Sequence, residues 1–285
     1  MKIITIANQK GGVGKTTTVL NFGRALARQG HRVLLIDGDP QANLTSYLGV
    51  TPCEGEFKEL KTLDELYTVK RPMGREAKYE FIAQAGENLS LIAGDAALAN
   101  VEYFLFNRPD RETVLAAFLE PLHQDFDFVL IDTPPSLNLL TLNALSASHW
   151  VIIPMQTEFF SLEGIVKIRG AIETVRDRWN SKIEILGILP TQINKRRKLT
   201  LEVLGALVQE FGDKVFKSMI HDNAAIAESS GHAQSVIDYD RSSQGARDYL
   251  AATDELLARM KPANSVASGL TQNSMTEIHN AEALQ

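Results

Sequence analysis

Eleven residues near the N-terminus, Asn8-Gln9-Lys10-Gly11-Gly12-Val13-Gly14-Lys15-Thr16-Thr17-Thr18, carry the densest chemistry in the chain. Glycines at 11, 12 and 14 let a backbone curl until several N–H groups converge on one anion, and a helix opening there adds partial positive charge. Lys15 is placed to reach the β- and γ-phosphates of a nucleotide as a point charge, and the Thr16 hydroxyl to complete a Mg²⁺ shell. Nucleotide binding is therefore expected along Lys10, Gly11, Gly12, Val13, Gly14, Lys15, Thr16 and Thr17. The general P-loop pattern G-x-x-x-x-G-K-[ST] starts with glycine. Here that position is Gln9, and an additional lysine, Lys10, follows it.

Two further segments supply carboxylates. Val33-Leu34-Leu35-Ile36-Asp37-Gly38-Asp39-Pro40 places them at the carboxyl end of an apolar run, where α/β folds put ligands. Phe128-Val129-Leu130-Ile131-Asp132-Thr133-Pro134-Pro135 has the form of a Walker B strand, with Asp132 able to hold the water shell of a metal. Aspartate after a strand is common in turns, so each segment is weak alone. In this order, behind a P-loop, they reinforce one another.

The elements that must position these residues are legible as alternating apolar runs and helical patterns. Strands are predicted at Lys2–Ala7, Arg32–Asp37, Leu89–Ile92, Phe128–Asp132, Trp150–Met155 and Ile183–Leu189, with a short run at Val215–Ile220 expected to end the sheet. Helices are predicted at Gly14–Gln29, around Leu162 to Trp179, and at Gly245–Lys261. Near-continuous apolar strands separated by helices indicate an α/β fold, a doubly wound, mostly parallel sheet with helices on both faces. Residues 1–261 are expected to form a single P-loop domain, with 51–85 an irregular insertion bearing short helices. The tail 262–285 has no aromatic residue, Lys or Arg, and is expected to be disordered.

Composition narrows the function classes. The chain of 285 residues carries a net charge of −6, which argues against nucleic-acid binding through overall charge but permits a local basic patch. One cysteine, Cys53, excludes an internal disulfide and a CxxC metal site and fits a reducing cytoplasm. No stretch reaches the ~18 apolar residues of a membrane span. The first strand begins at once, leaving no room for a signal peptide; a soluble, intracellular protein is expected.

With Leu139-Leu140-Thr141-Leu142-Asn143-Ala144-Leu145, Pro154-Met155-Gln156 and Ser161-Leu162-Glu163-Gly164 added, the motifs resemble the ParA family of partition ATPases, within the ParA/MinD group of deviant P-loop proteins. The resemblance runs from residue 1 to about 260 and is loose in the insertion and near 220–240. It implies ATP and Mg²⁺ as cofactors, an ATP-driven homodimer that binds double-stranded DNA nonspecifically, and a ParB-like or cargo-adaptor partner that stimulates slow hydrolysis. It makes Lys10 the signature lysine that contacts the nucleotide across the dimer, Lys15 the P-loop lysine and Asp39 the aspartate that positions attacking water. The catalytic set is thus Lys10, Lys15 and Asp39, and the metal-side set Thr16, Asp39 and Asp132. A cytoplasmic, nucleoid-associated protein is implied, moving plasmid, chromosome or protein cargo.

Departures from the family also carry expectations. The chain starts at its first strand, without the helix-turn-helix extension of larger partition proteins, so operator binding is not expected. The last helix mixes Asp248, Asp254 and Glu255 with Arg247, Arg259 and Lys261, unlike the basic polar face of a membrane-binding helix. Small ParA proteins typically read Ile-Pro-Arg-Asn where this chain has Ile220-His221-Asp222-Asn223, with Ala225 at a frequent arginine position, which leaves the adenine-side contacts open. Asn194-Lys195-Arg196-Arg197 resembles the guanine motif Asn-Lys-x-Asp, but Arg197 replaces the aspartate, so ATP is favoured over GTP.

Residues 181–220 hold seven Lys/Arg (Lys182, Lys195, Arg196, Arg197, Lys198, Lys214, Lys217) against four Asp/Glu, a local +3 that leaves about −9 for the rest. The six from Lys195 onward are the candidate DNA-binding residues. Two other readings compete: a metabolic or maturation enzyme on the same fold, and a membrane-associated division-site regulator.

Overall fold

The computed structural model describes residues 1–52, 54–69, 73–157, 161–194 and 196–261. Cys53, Lys195 and the tail 262–285 lie outside the described residues. The strands are β1 (Lys2–Ile6), β2 (Val33–Asp37), β3 (Ile82–Gly86), β4 (Leu89–Ile92), β5 (Phe128–Asp132), β6 (Trp150–Gln156) and β7 (Glu184–Thr191). They form one sheet in the order β3-β4-β2-β5-β1-β6-β7. Every pairing is parallel except β3–β4.

Helices α1 (Lys15–Arg28), α2 (Asn43–Tyr47), α3 (Leu63–Thr68), α4 (Arg75–Lys78), α5 (Val101–Leu105) and α6 (Val114–Leu119) are followed by α7 (Leu139–Ala147), α8 (Ser161–Arg178) and α9 (Lys198–Phe211). The described chain closes with α10 (Ala224–Gly231), α11 (Val236–Tyr239) and α12 (Gln244–Arg259).

The period-2 alternation of strand side chains divides the core between the faces. Ile4, Ile6, Val33, Leu35 and Leu130 pack with α1 and α12 through Phe22, Leu26, Tyr249 and Leu256. Ile3, Leu34, Ile36, Val129 and Ile131 point the other way, against Leu66, Leu105, Leu115 and Leu140 of α3, α5, α6 and α7. Beyond them, Val151, Ile153 and Ile188 pack under α8 and α9 through Ile168, Ile172, Val203 and Leu207. All five residues of both β2 and β5 are buried, as a strand covered on two sides requires.

Two expectations need correction. The 51–85 segment does contain short helices, α3 and α4, but its end belongs to β3, an antiparallel edge strand that turns into β4 through Asn88 at φ 55°. With Gln84 exposed and no continuous apolar run, β3 lacks the sequence signature of the inner strands. The Val215–Ile220 run is not a strand. It follows β7 only by isolated bridges, Val215 to Ile188 and His221 to Ile193. Between them the N–H groups of Lys217 and Ser218 are taken by the Glu255 carboxylate of α12, so no continuous ladder forms.

Candidate functional site

Strand order sets the site. β5 lies between β1 and β2, so the loop leaving β1 and the carboxylates ending β2 and β5 meet at one edge of the sheet. Gly14 caps α1 in the left-handed region at φ 85°, and Gly12 sits at φ 75°. A side chain is strained in both positions. The first turn of α1 has no acidic residue, which leaves its N–H groups and dipole available to an anion.

The loop is tied down from the side of β6 and β7. Buried Asn8 donates from Nδ2 to the Pro154 carbonyl (2.7 Å) and accepts from the Lys10 N–H (3.1 Å). The Gly12 carbonyl accepts from Gln156 Nε2 (3.0 Å) and Gln192 Nε2 (2.7 Å), while the Thr191 hydroxyl donates to the Val13 carbonyl (2.9 Å). Gln192 holds a left-handed φ of 52°, a conformation uncommon for residues other than glycine, while reaching the loop. Gly11 and Gly12 are exposed, Val13 is buried, and Thr17 is half-buried with its carbonyl bound by Asn21.

Lys15 is only 7% exposed, and its Nζ donates to the Lys10 carbonyl at 3.3 Å. The Thr16 hydroxyl donates to Asp132 Oδ2 at 2.6 Å, joining the helix start to the end of β5. Asp39, 8% exposed, accepts the Gln41 N–H on Oδ1 (3.0 Å), which holds it in a turn above β2. The structure thus brings Lys15, Thr16, Asp39 and Asp132 together around the opening of α1, with half-buried Lys10 in the same loop.

Asp37, one of the carboxylates that the sequence places at the end of an apolar run but not among the expected site residues, organises this region. It is fully buried, and its Oδ2 accepts both the N–H (2.8 Å) and the hydroxyl (2.7 Å) of Thr45. The Thr45 hydroxyl oxygen in turn accepts from the Gly94 N–H (3.0 Å). The shared Leu-Ile-Asp ending of β2 and β5 is the available signal.

Burial, reinforced by Asp37, pushes the Asp132 carboxyl up to about 8 against the pull of Thr16 and Lys15. Burial likewise pushes Asp37 up to about 6 despite its bonds from Thr45. Lys15 is lowered by burial, with Asp132 and Asp39 acting against the shift. Crowded carboxylates beside a hydroxyl form a hard oxygen donor set, the chemistry that suits Mg²⁺. The residues present fit that ion: Thr16 and Asp132 would hold it, with Asp39 nearby.

The basic cluster is split. Exposed Arg196 and Arg197 lead into Lys198 at the start of α9, beyond the C-terminal end of β7. Lys214 instead donates to the Ile185 carbonyl near the start of β7 (3.1 Å), six strand residues and roughly 20 Å from the end at Thr191, at ~3.3 Å per residue. Lys214 and Lys217 line a groove that also presents Glu184, Asp213 and Glu255.

A family model described as an AAA domain matches residues 1–185. The sporulation initiation inhibitor protein Soj of Bacillus subtilis is 40% identical over 261 residues, covering 90% of this chain and 98% of that protein. The chromosome partitioning protein ParA of Caulobacter vibrioides is 37% identical over 270 residues, covering 94% and 98%. A crystal structure of cobyrinic acid a,c-diamide synthase from Mycobacterium smegmatis, with bound ATP analog and magnesium, is 34% identical with a TM-score of 0.78, covering 92% of this chain and 96% of that one. By its P-loop, its strand order and these relatives, the chain belongs to the ParA/Soj family of partitioning P-loop ATPases.

Proposed function

We propose that this chain is an ATP-hydrolysing, dimerising switch that binds DNA without sequence preference and partitions or positions plasmid, chromosome or protein cargo. A ParB-like or cargo-adaptor protein stimulates its slow hydrolysis, and it works in the cytoplasm on the nucleoid. The observation that supports this best is the convergence of Lys15, Thr16, Asp39 and Asp132 on the N-terminus of α1, with Lys10 in the same loop. Loop N–H groups and Lys15 hold the phosphates of ATP. Lys10 reaches the nucleotide of the second subunit, so ATP cross-links two copies. Asp39 orients the attacking water, while Thr16 and Asp132 keep the metal side in place. Thr16 and Asp132 would hold Mg²⁺, which would supply positive charge against the negative charge building on the phosphates. Arg196, Arg197 and Lys198 offer phosphate contacts, and a twofold dimer doubles them.

Among the described residues no helix is long and apolar enough to cross a membrane. The likeness to a structure described as a diamide synthase supports a second reading, an ATP-using enzyme acting on a small molecule. One experiment separates them. Full-length protein with Mg²⁺ and ATP, ADP or no nucleotide is passed over light scattering and titrated with unrelated DNA duplexes. A dimer and DNA binding with ATP alone are expected; a monomer that hydrolyses ATP and ignores DNA would favour the enzyme.

A further inference from the structure

Lys10 is held by its backbone from two sides. Its N–H donates to Oδ1 of Asn8, two residues back (3.1 Å), and its carbonyl accepts from Nζ of Lys15 (3.3 Å). The first contact is an Asx turn, in which a short side chain takes the place of a backbone acceptor. Asn8 is itself immobilised. Only 4% of it is exposed, and its Nδ2 donates to the Pro154 carbonyl of β6 (2.7 Å). With a donor on one side and an acceptor on the other, the amide has one orientation, oxygen towards Lys10 and nitrogen towards β6.

Helix α8 closes over the same amide. A β-carbon added at Gly164, in the first turn of α8, would stand 2.9 Å from Asn8 Oδ1. No side chain fits there unless Asn8 moves, and the two bonds on that short, buried side chain oppose the move. Gly164 lies in helical backbone outside the left-handed region, so what it supplies is clearance rather than conformational freedom.

We propose that Asn8 is the positioning residue of Lys10, with Gly164 leaving room for its amide. The inference rests on the assignment of Lys10 to the nucleotide of the second subunit and adds what aims it. Lys15 holds the Lys10 carbonyl only while no phosphate is bound; once its ammonium turns to the β- and γ-phosphates, that donor is lost. The bonds of Asn8 to Lys10 and Pro154 involve no phosphate or metal ligand, so this clamp persists when nucleotide binds. A side chain that must cross to a partner subunit gains from a fixed starting point, since less freedom is lost when the contact forms.

The test measures two quantities separately on the full-length protein with Mg²⁺ and ATP: nucleotide affinity by fluorescence titration and the dimer by light scattering. Asn8→Ala is expected to bind nucleotide within about threefold of wild type while its dimer dissociation constant rises about tenfold, the size of one hydrogen bond. Asn8→Ser, which keeps a short acceptor two residues before Lys10, should recover part of the loss. Gly164→Ala should reproduce the loss, although alanine favours a helix over glycine. In the double variant the two losses should not add, because the methyl of Gly164→Ala then meets no amide. A wild-type dimer in Asn8→Ala overturns the proposal, as do additive losses, or nucleotide binding that weakens as much as the dimer does, the mark of a loop merely loosened. Should Asn8→Ala fail to fold, Gly164→Ala carries the test, a wild-type dimer overturning it. Lys10→Ala separates the two levels. If it dimerises as wild type does, the assignment of Lys10 fails and this inference with it; if it loses the dimer while Asn8→Ala and Gly164→Ala keep theirs, only this inference fails.

Discussion

Asp37 and Asp132 are register partners across the parallel pair β2 and β5, each the last residue of its strand and each fully buried. Two carboxylates that close in a low-dielectric setting resist ionising together. The resulting energy is held in the ligand-free protein and is available to whatever cation or donor approaches.

Neutralising Asp37 is therefore expected to stabilise the ligand-free protein. Burial lifts its carboxyl from the ordinary 3.8 to about 6 in the folded state. Above pH ~6 the folded state carries a buried charge that the unfolded state solvates freely, a cost that is near its full size from pH 6 to 8 and is relieved as pH falls from about 6 towards 4. Asp37→Asn should gain on the order of 1–2 kcal/mol at pH 8, below the full linkage value because the amide nitrogen cannot accept the Asp39 N–H that Asp37 Oδ1 now accepts at 3.4 Å. The gain should fade by about pH 4. Urea unfolding in EDTA at three pH values measures it, and a variant no more stable than wild type at pH 8 refutes it.

Asp39→Ala should retain Mg²⁺ATP yet hydrolyse it at least 100-fold more slowly, accumulating as a dimer. Thr16 and Asp132 remain bonded without it, so the metal side stays built. Single-turnover hydrolysis at the wild-type rate would show that the water is oriented elsewhere.

Two lysines of one loop should fail differently. Lys15→Ala removes the ammonium that lies within the loop and should weaken nucleotide binding beyond 100-fold in a fluorescence titration. Lys10→Ala should bind nucleotide within a few-fold of wild type and show no ATP-dependent dimer by light scattering. If Lys10→Ala dimerises normally, its assignment to the second subunit is wrong.

DNA affinity should fall with salt at a log–log slope near −4 to −5, for about 4–6 phosphates per dimer. Neutralising Arg196 and Arg197 should flatten that slope and weaken all sequences alike, since phosphate contacts carry no sequence information directly. Lys214→Gln should leave it unchanged, because Lys214 sits at the opposite end of β7 among acidic residues. A reversed ranking in filter-binding titrations would move the interface to that end.

What the sequence determined by itself was local. A P-loop is contiguous, so Gly12, Gly14, Lys15 and Thr16 declare their backbone shape and chemistry in a few residues. The runs ending in Asp37 and Asp132 declare themselves as buried strands because their apolar character is unbroken. Strand order and register are not local, and only the tertiary structure decided what depends on them. Asp37 faces Asp132 because β2 pairs with β5, 95 positions on, and Asp248 reaches His221 because α12 packs beside the segment that follows β7. The same holds for the basic residues. They are near neighbours in sequence, but an extended strand carries the chain ~3.3 Å per residue, and β7 sets Lys214 and Arg196 at opposite edges of the sheet.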